Sequence, residues 1–132
     1  MHSVKCEGSF DAAHFLSNYE GKCRNIHGHR WRIVIGVKGK LHNGMVVDFS
    51  VLKASINNLC EYFDHTFIVE KDSLKKEIME MLKENFLLRE VNFRTTAENF
   101  AKYFFDKINE EYECLYAEVY ETPNNCARYT CE

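Results

Sequence analysis

The chain has 132 residues, 45% hydrophobic and 14% aromatic, enough for one domain with its own core. Its formal charge of -3 argues against a general nucleic-acid binder, which would carry a basic excess along one face. Met1 to Phe15 holds Lys5, Glu7 and Asp11 and no apolar run long enough for a signal peptide or a membrane span, so a cytoplasmic protein without a membrane partner is expected.

Residues 3 to 10 read as a strand. A second strand follows, in which Trp31, Ile33, Ile35 and Val37 alternate with Arg32, Val34, Gly36 and Lys38. A loop near Asn43-Gly44 and the apolar run Met45-Val46-Val47 lead to Ser50, a plausible helix N-cap. Leu52, Ile56, Leu59 and Phe63 then share one face of a helix that ends near Asp64. Residues 69 to 92 are the least regular stretch, either a short charged helix with Leu74, Ile78, Met81 and Leu82 or a mobile excursion. No chemistry is assigned to them. A second long helix begins near Thr95 and places Phe100, Phe104 and Ile108 on one face, a strand runs from about Leu115 to Glu121, and Pro123-Asn124-Asn125 turns into a short last strand. The chain shows no internal repeat, low-complexity stretch or linker.

Chemistry concentrates in Cys23-Arg24-Asn25-Ile26-His27-Gly28-His29, preceded by a lone His14. Strand side chains alternate, so His27 and His29 project from one face and can grip one ion. A third imidazole from a neighbouring strand completes a three-nitrogen set that suits zinc and leaves a position open for water or substrate. Three imidazoles also accept copper, nickel or iron. Lys22, Arg24, Arg30 and Arg32 cluster around this motif, either for an anionic substrate or as a solvated strand face. Cysteines 6, 23, 60, 114, 126 and 131 are irregularly spaced with no Cys-x-x-Cys, and free thiols are expected.

Five blocks in order carry a resemblance: Phe10-Asp11-Ala12-Ala13-His14, Cys23-x-x-x-His27-Gly28-His29, Asp64-His65, Thr96-Ala97-Glu98-Asn99 and Val119-Tyr120-Glu121-Thr122. Together they resemble the 6-pyruvoyltetrahydropterin synthase family. Within it, the three-residue gap between Cys23 and His27 looks like the bacterial branch that forms 6-carboxytetrahydropterin for queuosine. The resemblance implies an α+β tunnelling fold in ββααββ order, with an antiparallel four-stranded sheet and two helices on one face. Such subunits join by sheet continuation into trimeric barrels that stack as a homohexamer, with active sites at subunit interfaces.

The resemblance also implies roles. His14, His27 and His29 would hold one Zn2+ per subunit. Cys23 would be the proton-abstracting base, the alternative being a small buried hydrophobe. Asp64 and His65 would be its acid/base partners, reaching the cysteine of an adjacent subunit; otherwise Asp64 only caps local backbone. Glu121 would anchor the pterin ring through two parallel hydrogen bonds, against an ordinary cross-strand ion pair. Thr96 and Glu98 would bind substrate, although Thr95-Thr96-Ala97-Glu98 also reads as a helix capping box. The implied reaction turns 7,8-dihydroneopterin triphosphate into 6-carboxy-5,6,7,8-tetrahydropterin with release of acetaldehyde and triphosphate. Pyruvoyl formation, a non-catalytic metal-binding role and a zinc hydrolase are the alternatives. Two features depart from the family pattern: Thr95 stands where proline is common, and the stretch after Asp64-His65 is longer than in compact relatives.

Overall fold

The computed structural model describes residues 1–131. Its elements run β1 (His2–His14), β2 (His27–Gly39), α1 (Phe49–Phe63), β3 (Thr66–Glu70), α2 (Lys76–Asn85), β4 (Leu88–Val91), α3 (Ala97–Ile108), β5 (Glu113–Thr122) and β6 (Asn125–Tyr129). A three-residue 3₁₀ turn, Lys22–Arg24, interrupts the β1–β2 connection.

All six strands form one sheet in the order β4-β3-β1-β2-β5-β6. The expected four antiparallel strands are its β1, β2, β5 and β6 part. The sheet is nevertheless six-stranded, because β3 pairs parallel with the end of β1 and β4 pairs parallel with β3. Residues 69 to 92 are thus no loose excursion: they complete β3 and supply α2 and β4. The ββααββ order gains a strand, a helix and a strand between its two long helices.

Alternation sets the core. Cys6, Phe10 and Ala12 of β1, Trp31, Ile33, Ile35 and Val37 of β2, and Ala117 and Val119 of β5 point to one buried face. Onto that face α1 lays Leu52, Ile56, Cys60 and Phe63, and α3 lays Phe100, Ala101, Phe104, Phe105 and Ile108. Each large side chain so buried contributes about 1.5–3 kcal/mol. Phe63 is the hinge of the aromatic cluster, with its ring 5.5 Å from Phe10 and 5.6 Å from both Phe100 and Tyr103.

Helix starts differ by one or two residues from expectation. Asp48, not Ser50, caps α1: its carboxylate accepts the Ser50 N–H at 2.8 Å and the Ser50 hydroxyl at 2.7 Å. In α3 the cap is Thr96, whose hydroxyl oxygen accepts the Asn99 N–H at 3.2 Å. The box expected from Thr95 and Glu98 therefore does not form, because the Thr95 hydroxyl is engaged elsewhere.

Candidate metal centre and its surroundings

The β1–β2 register pairs His14 with His27, at the end of the sheet where both strands begin to separate. Inward parity continues from Phe10 and Ala12 to His14, from Trp31 back to His29 and His27, and from Val119 to Glu121. Three imidazoles and one carboxylate thereby share the helix-covered face.

One ring nitrogen from each of His14, His27 and His29 lies within 4.8 Å of the others. The Nε2 atoms of all three are buried and have no hydrogen-bond partner. Buried polar atoms are rarely left so, and three converging lone pairs fit a divalent cation bound by imidazole. From behind, His14 Nδ1 meets the Thr95 carbonyl oxygen at 2.9 Å and the Thr95 hydroxyl at 3.1 Å. His27 Nδ1 meets the Asn25 carbonyl at 2.7 Å. Such partners at the far nitrogen are the usual support of metal-binding histidines. Trp31 closes the floor, edge-on to His14 and His29 at 4.8 and 5.5 Å.

Charge is held low here. Burial, reinforced by His27 and His29, pushes His14 down to about 4, against the opposing Thr95 carbonyl. Burial and then His27 lower His29 as well. Glu121 Oε2 stands 3.2 Å from His29 Nε2, close enough for an ion pair yet not aligned for a hydrogen bond. Burial raises the Glu121 carboxyl and Glu98 adds to the rise, while His27 and the Ala97 N–H oppose it. Glu98 and Thr96 thus sit at the first turn of α3, beside Glu121.

Cys23 lies half-buried in the 3₁₀ turn, and its carbonyl accepts the Leu16 N–H at 2.9 Å. It is not part of the three-histidine cluster. All six cysteines are free. Three of the others are interior groups: burial raises Cys6, lifts Cys60 to about 12 and lifts Cys114 to about 11.

Asp64 and His65 form a separate unit. Asp64 ends α1 and His65 takes a left-handed φ of 58°. His65 lines a shallow recess of about 420 Å³ with Asp11, Gly28, His29 and Arg30. An adjoining recess of about 580 Å³ is lined by His29, Arg30, Arg32, Tyr120 and Glu121. The basic cluster is partly neutralised, since Arg30 pairs with Asp11 at 3.0 Å and Arg32 with Glu7 at 3.5 Å while stacking over Tyr120. A further cleft of about 630 Å³ among Tyr62, Lys71, Phe93, Tyr103 and Lys107 contains none of the candidate site residues.

Sequence reading missed Thr95, Asn25 and Asp11, which act through hydrogen bonds that span up to 81 residues. Asp11 and Asn25 lie inside two of the family-like motifs and Thr95 directly precedes a third, and that adjacency is the available signal. Among the described residues, no helix is long and apolar enough to cross a membrane.

The 6-carboxy-5,6,7,8-tetrahydropterin synthase of Haemophilus influenzae is 32% identical, covering 98% of this chain and 99% of its own length. The enzyme of that name from Synechocystis is 36% identical over 98% of this chain and 93% of its own. A Plasmodium vivax 6-pyruvoyltetrahydropterin synthase, a catalytic-residue mutant, superposes with a TM-score of 0.79 at 22% identity, covering 97% of this chain and 96% of its own, which establishes a shared fold. The family model described as 6-pyruvoyl tetrahydropterin synthase matches residues 3–132. With its histidine triad at the end of a shared sheet, the chain belongs to the 6-pyruvoyl tetrahydropterin synthase family.

Proposed function

We propose that this protein is a zinc-dependent lyase that converts 7,8-dihydroneopterin triphosphate to 6-carboxy-5,6,7,8-tetrahydropterin, releasing acetaldehyde and triphosphate, as a step toward queuosine. The observation that carries the reading is the trio of buried, unpartnered Nε2 atoms on His14, His27 and His29. Full-length similarity to relatives named for the carboxy product supports the branch, as does the short Cys23 to His27 spacing. Six free thiols suit a cytoplasmic setting.

The three histidines would hold one zinc ion. When bound, it supplies Lewis acidity, stabilising negative charge on a coordinated side-chain oxygen of the substrate. Cys23 acts as the base that removes a proton from the neighbouring carbon. His65 carries protons to and from the reacting side chain, and Asp64 holds its Nδ1 at 2.8 Å so that the imidazolium is stabilised. Glu121 accepts paired hydrogen bonds from the amino group and ring N–H of the pterin. Thr96 and Glu98, at the start of α3, complete the ring pocket. Arg30 and Arg32 give the adjoining recess positive charge.

His65 is exposed on a recess that His29 also lines, a placement that suits service to the Cys23 of a neighbouring subunit in a homohexamer. The test is mass spectrometry of products formed from dihydroneopterin triphosphate, with and without chelator. Carboxytetrahydropterin plus acetaldehyde, formed only without chelator, is the expected result. A pyruvoyl product would transfer the chain to the other branch. Turnover surviving Cys23→Ala but not His27→Ala would indicate a metal-hydroxide hydrolase.

A further inference from the structure

The supports behind the triad are not equivalent. His27 leans on Asn25, two residues away within its own loop. His14 leans on Thr95, which arrives 81 residues later at the threshold of α3. Two Thr95 oxygens face His14 Nδ1, the carbonyl at 2.9 Å and the hydroxyl at 3.1 Å. The hydroxyl hydrogen is already committed, since Thr95 Oγ1 donates to the Phe15 carbonyl at 3.0 Å. Both oxygens can then only accept from the ring. The proton must therefore sit on Nδ1, and Nε2 is left as a bare lone pair aimed at the other two histidines. His14 and Thr95 are each 1% exposed, so water cannot take over the role.

The neighbouring residue strengthens the grip. Arg94 donates from Nε at 3.1 Å and from its guanidinium at 2.8 Å to the Ser17 carbonyl. Arg94-Thr95 thereby clamps the outgoing end of β1 at residues 14, 15 and 17. The carbonyl alone would be supplied by any residue, proline included. The hydroxyl is what joins the His14 ring to the Phe15 backbone, and its engagement is why the cap of α3 passes to Thr96.

We propose that the Thr95 hydroxyl is a positioning group for the metal centre: by linking His14 Nδ1 to the Phe15 carbonyl, it adds to the Nδ1–H tautomer that the Thr95 carbonyl already favours, fixes the aim of His14 and tightens divalent-ion binding. This rests on the metal-centre reading above. Thr95→Val retains shape and carbonyl but removes the hydroxyl, whereas Thr95→Ser retains the hydroxyl.

The experiment is zinc affinity of the full-length chain by competition with a chelating dye, with folding checked by circular dichroism. It is paired with long-range proton–nitrogen spectra of the metal-free protein. Thr95→Val should weaken zinc binding by about tenfold and Thr95→Ser should stay within about threefold of the unaltered chain. In the unaltered chain His14 should show the Nδ1–H tautomer. Equal affinity for Thr95→Val, an equal loss in Thr95→Ser, or an Nε2–H tautomer in the unaltered chain would overturn the proposal. If Thr95→Val does not fold, Thr95→Ala, which also lacks the hydroxyl, is measured in its place against the same outcomes. Failure of the unaltered chain to bind zinc would instead refute the metal centre itself.

Discussion

Asp64 Oδ2 and His65 Nδ1 stand 2.8 Å apart although the two residues are neighbours in sequence. Consecutive side chains of a strand would diverge, and the left-handed φ of 58° at His65 brings these two together. The turn is pinned to β1 from both sides: Asp64 Oδ1 accepts the Asp11 N–H at 2.8 Å, and His65 donates its N–H to the Asp11 carbonyl at 2.7 Å. An exposed imidazole is thus mounted on a fixed carboxylate.

The Asp11 N–H, and after it His65, holds the Asp64 carboxyl below the usual carboxylate range. A carboxyl depressed in the fold stabilises it above the unfolded value, and that contribution is lost as pH falls through the folded value. Denaturant midpoints of the unaltered chain should therefore fall through the acid range below the ordinary carboxylate pKa, and Asp64→Asn should show a shallower fall. The same variant should lose about 100-fold in turnover, the lower end for acid–base groups.

Cys23 stands outside the three-histidine cluster, so the proposed base and the proposed metal site are separable. Cys23→Ala should bind zinc with unaltered stoichiometry in elemental analysis and lose at least about 100-fold in turnover. Turnover near that of the unaltered chain would remove Cys23 from the mechanism.

Zinc that binds only the folded chain must stabilise it. At a free concentration near 100 times Kd, the gain should be about 2.7 kcal/mol, read from chemical denaturation with and without metal. His29→Ala should abolish most of that gain, because it removes one of the three proposed ligands with a buried Nε2.

Much of this arrangement is legible in the residues. Period-two spacing placed His27 and His29 on one strand face, and the apolar spacing of Leu52, Ile56 and Phe63 and of Phe100, Phe104 and Ile108 marked the faces of α1 and α3. The two added strands were not legible. β3 has five residues and β4 four, too few for alternation to stand out, and their parallel pairings are set by distant partners such as Ala12 with Thr66. Between them, α2 is the short charged helix that Leu74, Ile78, Met81 and Leu82 suggest; it buries no residue, so the same pattern also fits a mobile excursion. The cap of α3 was misread by one residue because Thr95 and Thr96 are chemically alike, and only the position of His14 decides which hydroxyl is free to cap.

The aromatic cluster beneath the triad should carry much of the stability. Phe63 is fully buried against Phe10, Phe100, Tyr103 and Phe104. Phe63→Ala should cost about 3–5 kcal/mol in urea denaturation, through lost burial and the cavity left behind. Its effect on zinc affinity should be small beside that of His29→Ala.

The most direct test of the centre is zinc-edge X-ray absorption on the metal-loaded protein. Three imidazole nitrogens at about 2.0–2.1 Å with a light-atom fourth ligand are expected. A sulfur at about 2.3 Å in the first coordination shell would contradict the account, since it would make Cys23 a ligand rather than the base.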